Sequence, residues 1–345
     1  MTLPSPNDEP RPIAVATSGS NTYIAYYTSR SGSPTVGLHG VSACSLAIAV
    51  HNGASWVSWT SVQTGTTGPG GSPLCTATGT PPYSWFEYGR WLSLTLNGSL
   101  PVVSYWSVVG TSTTELQFSS CTTSVCTAFT TGIIDSTGSQ VGRWNSLSFD
   151  TSGFSYAAYY VDNDGGGNKG LRFATNATGS FVTTNVEPMS AITDVGRFAR
   201  LRTLPNTPAN GFTFPTQVIA YADVTNPAAN FAKVASCTQS GTSACNGGGW
   251  TPALVPDTGA SPNYGRATSL TVDANGLPRL AYFDIANSKV RLLEGHAQAP
   301  LSFGELVNLG ANASPVGLSV AFSNSLLSTF VTFSTATGPQ VFAGQ

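Results

Sequence analysis

Short runs in which apolar and polar side chains alternate dominate this chain. In GRATSLTVDANGLPRLAYFDIANSKVRLLE, residues 265–294, positions 268–272 alternate with period two, and Asp273, Ala274, Asn275 and Gly276 follow as a turn signal. Residues 278–283 form a second apolar-rich run, and 289–293 a third after a polar break. Period two punctuated by Asp, Asn and Gly predicts three short antiparallel strands. With 22 prolines and 37 glycines, no segment keeps a helical period for long.

Degenerate copies of this unit recur. Gly-Arg opens GRWLSLTLNGSLPVVSYW at 89, GRWNSLSFDTSGFSYAAYY at 142, GRFARLRTL at 196 and the copy at 265, at intervals of 53, 54 and 69 residues. The long interval holds an insertion at 205–214 and a Cys-bounded loop, and a last copy starts at Gly317. A unit this small cannot bury its own faces, so copies must pack on one another, and multi-stranded repeats of about 40–50 residues are the pattern of β-propeller blades. First strands near Ile13, Leu46, Leu94, Leu147, Leu201, Leu270 and Leu318 predict an all-β propeller of seven four-stranded antiparallel blades. The number is six if the first two copies, the shortest and least regular, share one blade. In the first copy PTVGLHG is the expected third strand. The expected organisation is one propeller over residues 11–345. The last copy ends at GPQVFAGQ without an outer strand, which residues 1–10 could supply to close the ring and cover an edge.

The motif GR-x-x-SL-x-x-D-x-x-G-x-P-x-x-AYxD, followed by a short strand, a Cys pair and an Asp before the next GR, resembles the secreted bacterial β-propeller repeats grouped with sialidase-like or lectin-like propellers. The resemblance spans residues 11–345 and is clearest over 89–294. It implies a fold and little about chemistry, because propellers host enzymes, lectins and scaffolds alike. The Asp-box of sialidases, SxDxGxTW, is not reproduced: SFDTSGFSY and TVDANGLPR space Asp and Gly differently and lack the Trp. Asp150 and Asp273 therefore read as turn caps.

Composition narrows the function classes. Charged residues make up 9%, far below the roughly 25% of ordinary soluble domains, and the formal net charge is −2 with no basic run. A nucleic-acid partner is excluded on that ground, since it requires a basic stripe to displace counterions. No apolar run approaches the roughly 18 residues of a membrane span, and residues 1–10 lack the features of a signal peptide. Of six cysteines, Cys121 and Cys126 lie in CTTSVC and Cys237 and Cys245 in CTQSGTSAC, each pair after a third strand. Local disulfides are expected there, with Cys44 and Cys75 joining the first two copies. Disulfides imply an extracellular, cell-surface or periplasmic location. No CxxC occurs, and His39, His51 and His296 stand apart from the cysteine pairs, so neither metal nor cofactor is expected.

Two sets of residues carry candidate chemistry. Arg90, Arg143, Arg197 and Arg266 head successive first strands and could hold a carboxylate or sulfate in a partial ring. Asp135, Asp194 and Asp257 precede them, so each arginine could instead tie its blade to the one before. The stretch YSWFEYGRW supplies Tyr83, Trp85, Glu87, Tyr88 and Trp91, with Trp144 at the position matching Trp91, and suits stacking on a sugar or capture of a protein side chain. The tyrosines of the second strands, Tyr26, Tyr105, Tyr159, Tyr221 and Tyr282, read as packing residues. VDNDGGGNKG reads as a hairpin turn in preference to a calcium loop. The expected function is a secreted or surface-exposed, non-catalytic binding module, carbohydrate-binding or adhesive, with a glycan or a surface protein as partner. The alternatives are a self-assembling subunit of an extracellular filament or coat, and a sialidase-like glycoside hydrolase. The latter needs two acids, for which Glu87, Glu115, Glu187 and Glu305 lie outside the repeated turn positions.

Overall fold

A computed structural model describes residues 13–27, 45–64, 88–108, 113–207, 215–226, 230–238, 245, 247–255, 264–284, 287–296, 302–309, 313–323, 328–335 and 338–344. These residues form an all-β structure of six antiparallel sheets, the blades of a β-propeller fold. The first is built from β1 (Ile13–Ser18), β2 (Asn21–Tyr27), β3 (Ser45–His51) and β4 (Trp56–Thr64). The second contains β5 (Tyr88–Asn97), β6 (Leu100–Val108), β7 (Thr114–Cys121) and β8 (Phe129–Asp135). β9 (Gln140–Phe149), β10 (Ser155–Asn163), β11 (Gly170–Thr175) and β12 (Val182–Asn185) make the third. The fourth has β13 (Val195–Leu204), β14 (Thr216–Asp223), β15 (Phe231–Thr238) and β16 (Thr251–Leu254). β17 (Tyr264–Val272), β18 (Pro278–Asp284), β19 (Lys289–His296) and β20 (Ser302–Leu309) make the fifth, and β21 (Ala313–Ser323), β22 (Ser328–Thr335) and β23 (Gly338–Gly344) the sixth.

Six blades replace the expected seven. SLAIAVH does not open a second blade. It is β3, paired on one side with β2 and on the other with β4, so the first two copies share one sheet. The proposed third strand PTVGLHG and residues 1–10 lie outside the described residues, as do Cys44 and Cys75. Among the described residues the last sheet has three strands, all from its own copy. The chain divides into two compact units, residues 11–153 with 161–168, and residues 154–160 with 169–345.

Successive side chains of a strand point to opposite faces, and the apolar ones pack into shared cores. In the first unit Tyr23, Leu46, Ile48, Val103 and Tyr105 share a core. In the second, Leu171, Phe173, Leu201, Ile219 and Tyr221 form one core, and Leu204, Val218, Leu270, Leu280 and Tyr282 another. Tyr105, Tyr159, Tyr221 and Tyr282 are fully buried, whereas Tyr26 is only partly buried and Tyr23 fills the core of its sheet. The turn caps also form. Asp150 Oδ1 accepts the Ser152 N–H at 2.9 Å, and Asp273 Oδ1 accepts those of Asn275 and Leu277, each at 2.9 Å. Cys121–Cys126 and Cys237–Cys245 are disulfide-bonded, each clipping the end of a third strand to its loop.

The Gly-Arg pairs encode a double irregularity at the head of the first strand. Pairing of β13 with β14 slips between Val195 and Arg197 and again between Arg197 and Arg200, and β17 slips likewise around Arg266. Gly142 and Gly196 sit at φ 100 and 112, and the aromatic residues two positions on, Trp144 and Phe198, at φ 46 and 58. A Cβ on Gly196 would stand 2.7 Å from Leu171 Cβ and 2.8 Å from its Cα, and one on Gly142 3.1 Å from Leu116 Cβ. Glycine is thus required because the strand head lies against the third strand of the preceding blade. The bulge re-aims the arginine and the aromatic residue that follow it.

Candidate functional site

The positive-φ backbone of Gly142 and Trp144 at the head of β9 places Arg143 against blade two. Its Nη1 donates to Asp162 Oδ2 at 2.8 Å, and its guanidinium carbon lies 5.2 Å from the centre of the Trp91 ring and 5.9 Å from that of Trp106. Trp91 packs edge-on to Trp106 at 5.0 Å and tilted against Trp144 at 5.8 Å. Asn145 locks this arrangement. Its Nδ2 donates to the carbonyls of Trp91 and Gly142, and its Oδ1 accepts from Ser104 Oγ at 2.6 Å. Trp91, Trp106 and Trp144 are 9%, 6% and 6% exposed, so the cluster is a packed wall between blades and not an open platform for stacking. The cation over the ring is worth about 0.5–2 kcal/mol according to its desolvation.

The bulge of β13 repeats the scheme with different side chains. Arg197 grips Asp194 with both ends of its fork, Nε to Oδ1 at 2.9 Å and Nη2 to Oδ2 at 2.6 Å, while Tyr160 donates to the same Oδ1 at 2.9 Å. The Arg197 guanidinium lies 6.0 Å from the centre of the Tyr160 ring. Here the wall opens into a recess of about 380 Å³ lined by Lys169, Thr193, Asp194, Arg197, Thr225 and Asn230, with Ile192 83% exposed at its side. Thr225 Oγ1 takes the Asp194 N–H and Thr193 Oγ1 donates to the Lys169 carbonyl, so the polar lining is fixed by backbone contacts.

A third polar cluster adjoins Asp223 in the same unit. Lys233 Nζ donates to Glu187 Oε2 at 2.6 Å and to Asp223 Oδ2 at 3.4 Å, and Tyr221 donates to Glu187 Oε1 at 2.5 Å. Burial first, and then the Glu187 charge, push the Tyr221 phenol well above its ordinary value. Tyr221 is fully buried, which keeps it from any ligand.

The candidate residues thus fall in different places. Arg143, Trp91 and Trp144 meet, and Arg197 joins Asp194 and Tyr160. Arg197 does pair with the aspartate three residues before it, as its spacing predicts. Arg143 takes Asp162 in place of Asp135, whose Oδ1 instead caps Thr137. Tyr88, Arg90 and Arg266 have their backbones opposite Ser107, Trp106 and Phe283, with side chains outside the described part. Tyr83, Trp85 and Glu87 lie outside the described residues altogether. Sequence reasoning missed Trp106, Tyr160, Asp162 and Asn145. Trp106 and Tyr160 each follow a buried tyrosine on a strand, so period two should have turned them to the opposite face. Among the described residues no group of three or more His, Cys, Asp or Glu side chains is placed to hold a metal, and no helix is long and apolar enough to cross a membrane.

The sequence matches no protein-family profile and no curated protein. Solved structures resemble the fold. An arginine-to-alanine triple variant of AofleA from Arthrobotrys oligospora has a TM-score of 0.50 at 12% identity, covering 97% of this chain and 84% of that one. A protein of unknown function from Dyadobacter fermentans also has a TM-score of 0.50 at 12% identity, over 75% and 79% of the two chains. A bifunctional GH43-CE protein of Bacteroides eggerthii has a TM-score of 0.43 at 11% identity over 94% of this chain, which spans 40% of that protein's length. At 12% identity and a TM-score of 0.50, the first two are similar to this chain in fold alone, a β-propeller.

Proposed function

We propose that this chain is an exported, non-catalytic carbohydrate-binding module, a single β-propeller domain with a binding site at the Arg197 recess. The recess carries the proposal. Its volume of about 380 Å³ is within the roughly 300–1,000 Å³ of small-ligand pockets. Its wall combines a guanidinium, a carboxylate, an ammonium, an amide and two hydroxyls with the exposed apolar side of Ile192. A sugar ring needs that combination, because its hydroxyls both donate and accept while its C–H face seeks apolar contact. The Asp194 and Tyr160 contacts hold Arg197 in place before a ligand arrives, which lowers the entropic cost of binding. Disulfides at both clipped loops agree with export. The test is a glycan array on the oxidised protein beside an Arg197→Ala variant. Selective binding that the variant loses supports the reading; a blank array, or binding the variant keeps, ends it.

A glycoside hydrolase is the second reading, favoured by the convergence of Glu187 and Asp223 on Lys233. Both carboxylates are partly exposed and contact the one ammonium, at 2.6 and 3.4 Å, which brings together the two acids that glycoside hydrolysis requires. Turnover of chromogenic glycosides that Glu187→Gln abolishes would establish it, and no turnover across a broad panel would remove it.

A further inference from the structure

The residues four and six places after each Gly-Arg glycine repeat as hydroxyls: Ser93 and Thr95, Ser146 and Ser148, Ser269 and Thr271. Two of them clasp one blade to the next. Ser93 Oγ accepts the Leu147 N–H at 3.1 Å, and Ser269 Oγ accepts the Val320 N–H at 3.0 Å. In β13 the same two places hold Arg200 and Arg202. The substitution removes a clasping hydroxyl and adds two like charges, so it does not serve the packing of blades.

Two residues apart on a strand, the two side chains leave one face. Their cross-strand partners are Ala220 and Val218, whose face packs with Leu204 on Leu270, Leu280 and Tyr282. The aliphatic stems therefore start on an apolar layer, while the side chains keep partial access to solvent. Arg200 Nη1 donates to the Ala199 carbonyl at 2.9 Å and Arg202 Nη1 to the Leu201 carbonyl at 2.8 Å. Among the described residues neither guanidinium meets a carboxylate. Desolvation lowers the pKa of both, that of Arg200 to about 10 with the Arg202 charge adding to the effect. Each keeps several N–H donors beyond the one used, in a planar fork that matches a carboxylate or sulfate. Desolvated like charges side by side are unfavourable until an anion stands with them.

We infer that Arg200 and Arg202 together bind a sulfate or carboxylate group, supplied by a free inorganic anion or by an acidic sugar. The site rests on this arginine pair alone and is independent of the Arg197 recess.

The test replaces both arginines by the residues of the fifth blade, Arg200→Ser with Arg202→Thr, and compares melting temperatures in low-millimolar chloride, sulfate, galacturonate and galactose at matched ionic strength. The wild-type protein should melt higher in sulfate or galacturonate than in chloride, with no gain from galactose. The variant should show no anion gain and melt at or above the wild type in chloride. A gain from sulfate identifies a free oxyanion as sufficient, and a gain from galacturonate alone assigns the site to acidic sugars. An equal gain in the variant, a gain from galactose matching that from galacturonate, or a variant that melts lower in chloride overturns the inference. Equilibrium dialysis of labelled sulfate and galacturonate against the wild-type protein decides the matter if the variant does not fold, and no retention of either overturns the site.

Discussion

Gly196→Ala is the sharpest perturbation of the motif that organises this fold. The added methyl would lie 2.7 Å from Leu171 Cβ and 2.8 Å from Leu171 Cα, against the ~3.5–4.0 Å at which carbon atoms rest. Leu171 is fully buried in β11, so its backbone has nowhere to retreat. Overpacking of this kind costs about 1–3 kcal/mol. The φ of 112 adds about 1–3 kcal/mol, since an L-residue with a Cβ rarely adopts it. The sum is about 2–6 kcal/mol. Gly98→Ala is the control: it shares a positive φ, 60, but has nothing within 4 Å of the added Cβ, so it meets only a backbone penalty of about 1 kcal/mol. Urea unfolding of the oxidised proteins, compared at equal m-values, measures the difference. If Gly196→Ala costs no more than Gly98→Ala, close approach to Leu171 is not what keeps glycine at the head of the strand.

Three further expectations follow from single contacts. Asn145→Ala leaves the buried Ser104 hydroxyl and two carbonyls without their partner, a loss of about 2–4 kcal/mol that chemical denaturation would register, and Ser104→Ala in the same chain should return part of it. Removing the Cys237–Cys245 bridge by serine substitution frees a loop with a sequence separation of 8 and should lower stability by about 2–3 kcal/mol, with a matching fall in thermal midpoint. Because the Tyr221 phenol is held above 10.0 in the folded chain, its contribution is complete below that pH. It is lost as pH rises beyond it, since the unfolded phenol ionises first. An alkaline unfolding series should show a shallower fall for Tyr221→Phe than for the wild type.

The architecture was largely legible because its determinants are local. Period-two runs, Asp-capped turns and cysteines five and eight residues apart act within a single hairpin or loop. The blade count was not, because Ser45–His51 looks like a first strand and only its pairing with both β2 and β4 makes it a third. The site was legible in part. Gly-Arg announced the arginines, and the aspartate three residues before Arg197 announced one partner. Asp162 was hidden from Arg143 by the intervening hairpin, 19 residues along the chain. The aromatic stretch YSWFEYGRW suggested a sugar platform; its Trp91, with Trp144, is buried in a wall, and Tyr83, Trp85 and Glu87 lie outside the described residues. Arg200 and Arg202 did leave a signal, the break in a repeated Ser/Thr pair, which emerges only when the copies are aligned on their bulges.

Calorimetric titration of the strongest array ligand into the wild-type protein and Arg197→Ala tests the binding account most directly. A site at Arg197 requires about a tenfold or greater loss of affinity in the variant, the equivalent of roughly 1.4 kcal/mol, with the variant still folded at the titration temperature. Equal affinity in the two proteins would contradict it, and the recess would then be no more than the place where Arg197 ties blade four to Tyr160.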